Sequence, residues 1–598
     1  MQPSVRIAFV FLFASATGLA CFAQTTSPSG SQADINKQAQ AAYQAGTTAA
    51  MNNDFSTAER QLEKVVQLVP QIEAGHSALG AVLIRLGKFP EAVKELEQAV
   101  ALKPGDVSAQ TNLAWAYEQT GAYKKALVLF EKIESEARAN PNSDATRALT
   151  SSVLAAYARA LAATQQLPAA MAKMKTAVAE SPQSSELHDA LGSLYAQQLN
   201  WPSAIAEFQK AIQIKPQFAP AHIHLGAALL AQQQVPSAIQ ELSLAFELAP
   251  NNAAAATELG KAYAANNEDG QAIQAFQRAI SLNPRYTDAK YQLALVLQRT
   301  GHDSDAVPLL HEVVEADPKN ADAAASLGAA FLIIGKPKEA IPFLEHALKQ
   351  KPRDPIVHEN LAAAYLQMNQ VDEAIRVLRS GLAGNPENFQ LHYNLGLALK
   401  LKDDNAAAIP ELESAAKLNP SAHEPHYTLG ILYMQDGRFD DAARELSQAM
   451  KLHPDNAEGW ATLGSLYLKM SKLPEAADAL REAIHQSPNQ PDPHLMLAAV
   501  LAQQGNAADA AAERKKGAEL ERVAMSRQRA TVSTNSGNAL LQKGQITEAI
   551  ERYRQAISED ATYAEAHRAL ATALGRQGDT TEAAAERQKA DDLDKSQP

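Results

Sequence analysis

At 598 residues, with 20% charged and 6% aromatic residues, the chain is too long for one hydrophobic core and has the composition of many amphipathic helices. Its net charge is −13, and Lys and Arg are interleaved with Asp and Glu, which argues against a nucleic-acid partner. Cys21 is the only cysteine, which excludes an intramolecular disulfide.

In chain order, residues 1–23 read as a secretory signal. Arg6 supplies the positive start, Ile7 to Leu19 an apolar run, and small residues follow up to Ala23. The run is too short to cross a bilayer, so no membrane span is expected. Cleavage after Ala23 would export the protein to the periplasm or the medium. Lipidation of Cys21, giving a lipoprotein, is the alternative. Residues 24–38, rich in Thr, Ser, Pro and Gly at their start, read as a flexible leader.

Beyond the leader the sequence repeats. Pro182, Pro216, Pro250, Pro284, Pro318, Pro352, Pro386, Pro420, Pro454 and Pro488 stand 34 residues apart, and Pro70 and Pro104 keep the interval. Other positions recur in phase with them. Trp460, Leu463, Gly464 and Tyr467 make the apolar stripe of a first helix, and Ala476, Leu480 and Ala483 that of a second. His426, Leu429, Gly430, Tyr433, Ala442, Leu446 and Ala449 repeat the pattern one period earlier. The small residues are expected to let the two helices approach closely. Gly87, Gly121, Gly301, Gly335, Gly437, Gly505, Gly544 and Gly578, with Asn267 and Asn369, fall where a left-handed residue ends the first helix. Pro90, Pro168, Pro202, Pro236 and Pro474 open the second. Pro308, Pro342 and Pro410 sit a turn further in and are expected to perturb it.

These residues resemble the tetratricopeptide repeat. The resemblance implies an all-α fold, an α-solenoid of helix-turn-helix repeats wound into a right-handed superhelix. Sixteen units follow from it, beginning near Ala39, Glu73, Val107, Ser151, Ser185, Ala219, Ala253, Thr287, Ala321, Pro355, Phe389, His423, Ala457, Pro491, Ala530 and Ala564. Units 1–3 occupy residues 39–140, an irregular insertion residues 141–150, and units 4–14 residues 151–524. A break at 525–529 is expected after an extended charged helix. Residues 530–598 hold two more units and a polar cap, where Arg587 and Lys595 replace the apolar and proline positions.

The resemblance also implies that first helices line a concave surface able to hold a protein or an extended peptide. Its candidate lining is Tyr291, Leu332, Asn360, Leu366, Tyr393, Asn394, Leu397, Tyr427, Ile431 and Met434, with Ile333 and Leu401 beside them. Tyrosines offer contact area at small entropic cost and amides can bond a peptide backbone. Asn112, Asn360 and Asn394 share a repeat position and resemble the asparagine ladder of O-GlcNAc transferase arms, but His224, Gln292, Ser326, Thr428 and Thr462 interrupt it. The slots for a carboxylate clamp carry Tyr, Ala, Leu and Thr, against binding of a chaperone's acidic tail.

His76, His188, His222, His358, His392, His426, His494 and His567 share the position of Trp460 and read as amphipathic filler, with no second ligand for a metal. No phosphate loop, nucleophile elbow or HExxH helix occurs, and Gly260-Lys261 and Gly335-Lys336 lack the rest of a P-loop. No cofactor, metal or catalysis is expected. The reading is a non-catalytic binding scaffold. The alternatives are a substrate-selecting arm of a glycosyltransferase system and an envelope assembly or export component.

Overall fold

The computed structural model describes residues 30–596. The signal, Cys21 and residues 24–29 of the leader lie outside them. The described residues form 32 helices and no strand, an all-α stack of helical hairpins. They fall into two compact units, one ending at Pro318 and the other beginning at Lys319.

A regular hairpin pairs a first helix of 13 residues, such as Ala457–Lys469, with a second of 14, such as Leu473–Gln486. The Asn456 carboxamide caps the first by accepting from the Gly459 N–H at 2.9 Å. The turn then needs one left-handed residue, and among the described residues there are sixteen, one per hairpin. Eight are glycines, all at the positions singled out above, and Gly437 at φ 73° is typical. The other eight include Asn267 and Asn369, but also Leu199 at φ 58°, which holds this conformation against the steric preference of its Cβ. Pro308, Pro342 and Pro410 lie inside their second helices, which continue through them.

The two helices close over the small residues. A Cβ on Gly464 would stand 2.6 Å from Leu480 Cγ, and one on Gly192 2.6 Å from Phe208 Cε1. Leu480 and Phe208 are themselves fully buried, so neither can yield without opening the core. Ala476 and Ala483 flank Leu480 with no exposure at all.

The shared histidine position has a role beyond filler. In seven hairpins its Nδ1 meets a glutamate of the same hairpin's second helix, as His76 meets Glu95 at 2.7 Å and His426 meets Glu445 at 2.7 Å. In six of these Nε2 also reaches the carbonyl that closes the previous hairpin, as His76 reaches Pro70 O at 2.8 Å. Trp460 serves the same carbonyl position by donating from Nε1 to Pro454 O at 2.8 Å. The position therefore supplies a donor that ties neighbouring hairpins together. Tyrosines at the stripe's end add a second tie: Tyr365 donates to Glu345 of the preceding second helix at 3.0 Å, and Tyr433 to Glu413 at 2.5 Å.

Three boundaries differ from the sequence reading. The first helix spans Gly30–Met51, so residues 30–38 of the expected leader are helical. The insertion at 141–150 contains a short helix, Asp144–Ala148, whose Ala145 and Ala148 are buried against Ile133 and Ala137. The expected break at 525–529 does not occur: one 36-residue helix, Ala507–Gln542, runs through it. Residues 507–542 contain no proline and no glycine with positive φ, so nothing in the backbone interrupts the hydrogen-bond ladder. The final helix, Thr580–Ser596, exposes Arg587 and buries Ala583 and Ala590.

Candidate peptide-binding face

Within each unit most first helices of successive hairpins touch one another, as Ala321–Ile333 touches Pro355–Gln367 and Pro355–Gln367 touches Phe389–Leu401, while Phe389–Leu401, His423–Gln435 and Ala457–Lys469 stand further apart. Second helices make no comparable contact among themselves. The first helices thus form the closer, inner side of each stack. Side chains there that are left between the packed stripe positions are the ones a ligand can reach.

Tyr291 belongs to the unit ending at Pro318 and is half-buried. The other nine candidates belong to the unit beginning at Lys319. Asn360, Leu366, Tyr393, Asn394, Leu397, Tyr427, Ile431 and Met434 are all half-buried, accessible yet held by neighbours. Leu332 is a correction. It is 8% exposed and offers a ligand almost no surface. Next to it Ile333 is 67% exposed, and Leu401 is 60% exposed in its own hairpin.

Tyr393 and Tyr427 sit in matching surroundings one repeat apart. Tyr393 stacks on Phe389, with ring centroids 6.2 Å apart and planes 4° from parallel. Burial, reinforced by Glu424, pushes the phenol's pKa above its ordinary value. At Tyr427 burial, reinforced by Glu458, raises the phenol's pKa in the same way. Asn394 accepts from Gln390 Nε2 at 3.2 Å, which leaves its NH2 group to donate elsewhere.

Glutamates on this face are the residues that sequence reasoning missed. Glu424 and Glu458 share one repeat position, and Glu359 stands at the position of Tyr393 in its own hairpin. A count of acidic residues treats these as solvated surface charge. The signal that separates them was the 34-residue register itself. Among the described residues, no Lys or Arg forms an ion pair with Glu359, Glu424, Glu458 or Asp492, and Glu424 meets only His423 at 3.5 Å. Burial, with Asp354 nearby, raises the Glu359 carboxyl's pKa.

Acids on the first helices of the other unit are partnered differently. Arg159 binds Glu118 at 2.8 Å, His224 binds Asp189 at 2.7 Å, and Lys261 bridges Glu258 at 2.8 Å and Asp288 at 2.9 Å. Burial opposes the charge on His224 and on Lys261, but the facing carboxylates outweigh it and hold both pKa values above their ordinary range. Inner-face carboxylates here are neutralised by the chain itself.

Stacked helical hairpins with glycine-tight crossings, one left-handed turn residue each and an accessible first-helix side define an α-solenoid of short helical repeats. The chain belongs to the tetratricopeptide-repeat family. Models described as tetratricopeptide repeats match residues 77–144, 155–219, 427–491 and 461–515, then 195–261, 270–330 and 334–396, then 253–286 and 389–421, and a model described as a TPR repeat matches 537–598. Among solved structures the chain is similar to YrrB, described as a TPR protein with an unusual peptide-binding site, at 21% identity over 31% of this chain and 95% of that one, with a TM-score of 0.27. It is also similar to two structures of MamA, at 27% and 28% identity over 28% and 27% of this chain and 92% and 95% of those, with TM-scores of 0.26 and 0.25. No curated protein matches the chain.

Proposed function

We propose that the protein is a non-catalytic interaction scaffold that holds an extended segment of another protein against the first-helix face of residues 355–470. The observation that carries this reading is the pair of half-buried tyrosines, Tyr393 and Tyr427, set among Leu397, Ile431 and Met434, with the Asn394 amide left to donate. Such a face gives a bound backbone polar partners and gives its side chains apolar contact. No helix among the described residues is long and apolar enough to cross a membrane. With residues 1–23 read as a secretory signal, the scaffold would act outside the cytoplasm, free or held by a lipid on Cys21. The intact mass of the mature protein separates these two forms.

The test is a photo-crosslinking amino acid placed at Leu397 or Ile431 on the inner side, and at Asp478 on a second helix. Adducts to a partner segment are expected from the inner positions alone. Replacing Tyr393 and Tyr427 together with Ala should weaken those adducts about tenfold or more while the helical circular dichroism is unchanged. Equal crosslinking from both sides would refute the assignment of the face.

A further inference from the structure

Three kinds of side chain tie a hairpin to the one before it, and they differ in how many bonds they make. Gln110 and Trp460 each donate one, from Nε2 and Nε1, to the carbonyls of Pro104 and Pro454. On their second helices Leu129 and Ala479 stand where other hairpins carry a glutamate. His76, His188, His222, His392, His494 and His567 make two bonds. Their Nε2 atoms meet the same carbonyl position and their Nδ1 atoms meet a glutamate 19 residues on, as His222 meets Pro216 O at 2.9 Å and Glu241 at 2.6 Å. His358 has Val377 at the glutamate's place, and its Nδ1 meets instead Asp354 O of its own hairpin at 2.8 Å. His426 meets Glu445, but its Nε2 is buried without a partner.

Two acceptors on one ring set a condition. A neutral imidazole carries one N–H and can donate to the carboxylate or to the carbonyl, whereas the imidazolium donates to both. The carboxylates suit the charged ring. Burial opposes the charge on Glu207 and Glu586, but hydrogen bonds from the histidine and from Lys210 and Lys589 outweigh it and hold both carboxyls below their ordinary value. Glu95, Glu241, Glu411 and Glu513 form an ion pair only with their histidines among the described residues. The remaining charges nearby are Glu91, Asp509 and Glu582, one turn back on the second helices, and Glu73, one turn before His76. From the preceding hairpins come Lys215 and Asp560, next to the bonded carbonyls and engaged by Glu186 and Arg527.

We infer that the six doubly bonded histidines are proton-dependent clips between successive hairpins. Charged, each ring holds its own second helix and the preceding hairpin at once; neutral, it releases one of them. The extra bond is present while the ring is charged and is lost as pH rises through the imidazole range, so these joints loosen together on the alkaline side. The joints at Gln110 and Trp460, which need no second proton, do not.

The experiment is amide hydrogen exchange on the full chain, read by mass spectrometry at about pH 5 and about pH 8 and corrected for the intrinsic pH dependence of exchange. Segments across the histidine joints, such as Pro216 to His222, should exchange at least about fivefold faster at the higher pH, while Pro104 to Gln110 and Pro454 to Trp460 change less than about twofold. His222→Gln with Glu241→Leu copies the pair Gln110 and Leu129, keeps the carbonyl bond and strands no carboxylate. It should abolish the response of its own joint while the joint at His494 keeps its response, with circular dichroism at the lower pH checking that the variant folds. Should it fail to fold, the comparison of joints within the parent protein decides alone. The same response at Gln110 and Trp460 as at the histidines, no response at the histidines, or a response at residue 222 that survives the double substitution would overturn the inference.

Discussion

Two stretches of first helices, one in each unit, treat their acids in opposite ways. Between Val107 and Arg299 the acids there are closed off by Arg159, His224 and Lys261. Between Pro355 and Gln503 they stay open beside tyrosines and aliphatic side chains. An acid bonded by its own chain contributes to holding successive hairpins in register, and an acid left open contributes to what can be bound. The hairpin frame is common to both units, so a few side chains per repeat decide which role a stretch takes.

The common frame can be broken in either unit, and this carries the largest expected effect. Ala114 and Ala158 take the glycine position in their own hairpins, so a larger side chain is needed to test it. Gly192→Leu and Gly464→Leu should each cost about 1–3 kcal/mol in chemical denaturation, because Phe208 and Leu480 occupy the space. A large loss in one unit only would show that the frames are not equivalent.

The charge contrast is sharpened by a smaller effect. Arg159→Ala leaves Glu118, whose side chain is 7% exposed, with Gln119 as its remaining partner, and should cost about 1–2 kcal/mol after allowing for the partly exposed arginine. Glu458→Gln should change stability by less than about 0.5 kcal/mol, since no cation of the chain depends on it. Equal losses at the two sites would erase the distinction between closed and open acids.

The smallest effect is a pH dependence of opposite sign in the two units. Burial, with the Asp106 carboxyl adjacent, pushes Glu73 up to about 8. A carboxyl raised on folding contributes stability below its ordinary pKa of 4.5, and loses it as pH rises through about 8. Glu73→Gln should therefore melt higher than the parent by a margin of about one to three degrees that builds up as pH rises from 4.5 to about 8 and levels off above it. The His426 hydrogen bond holds Glu445 below its ordinary value, so that contribution is present above 4.5 and is lost as pH falls. Glu445→Gln should melt lower than the parent near neutrality, with the deficit closing in acid. Parallel pH profiles for the two variants would contradict the assignment.

Most of the frame was legible before any coordinates. The prolines, the stripe through Trp460 and Leu463, and the glycines after the first helices set the hairpins, and the structure begins first helices at Glu73, Val107, Ser151, Ala457 and Pro491. Of the ten candidate side chains, nine are half-buried, with Tyr291 in one unit and eight in the other. Leu332 is lost because its side chain turns out buried, at 8% exposure, while its helix neighbour Ile333 is open. The 34-residue register slips near 525–529, which suggests a break, yet one continuous helix runs from Ala507 to Gln542. Charge does not interrupt a backbone ladder, whereas proline does.

What the sequence determined by itself is periodic: hairpin length, the position of the tight crossing, the turn residue and the inner side of each first helix. These follow from interactions within 34 residues, and a repeated cause leaves a repeated mark. What only the tertiary structure decided is pairwise and crosses from one repeat to the next: which histidine reaches which carbonyl, which tyrosine reaches a glutamate of the preceding helix, and which acids find a cation. Those partners stand on neighbouring hairpins, from 6 to 41 residues apart in sequence, and a pair is made or missed by the distance between two side chains, which no single position in a repeat encodes.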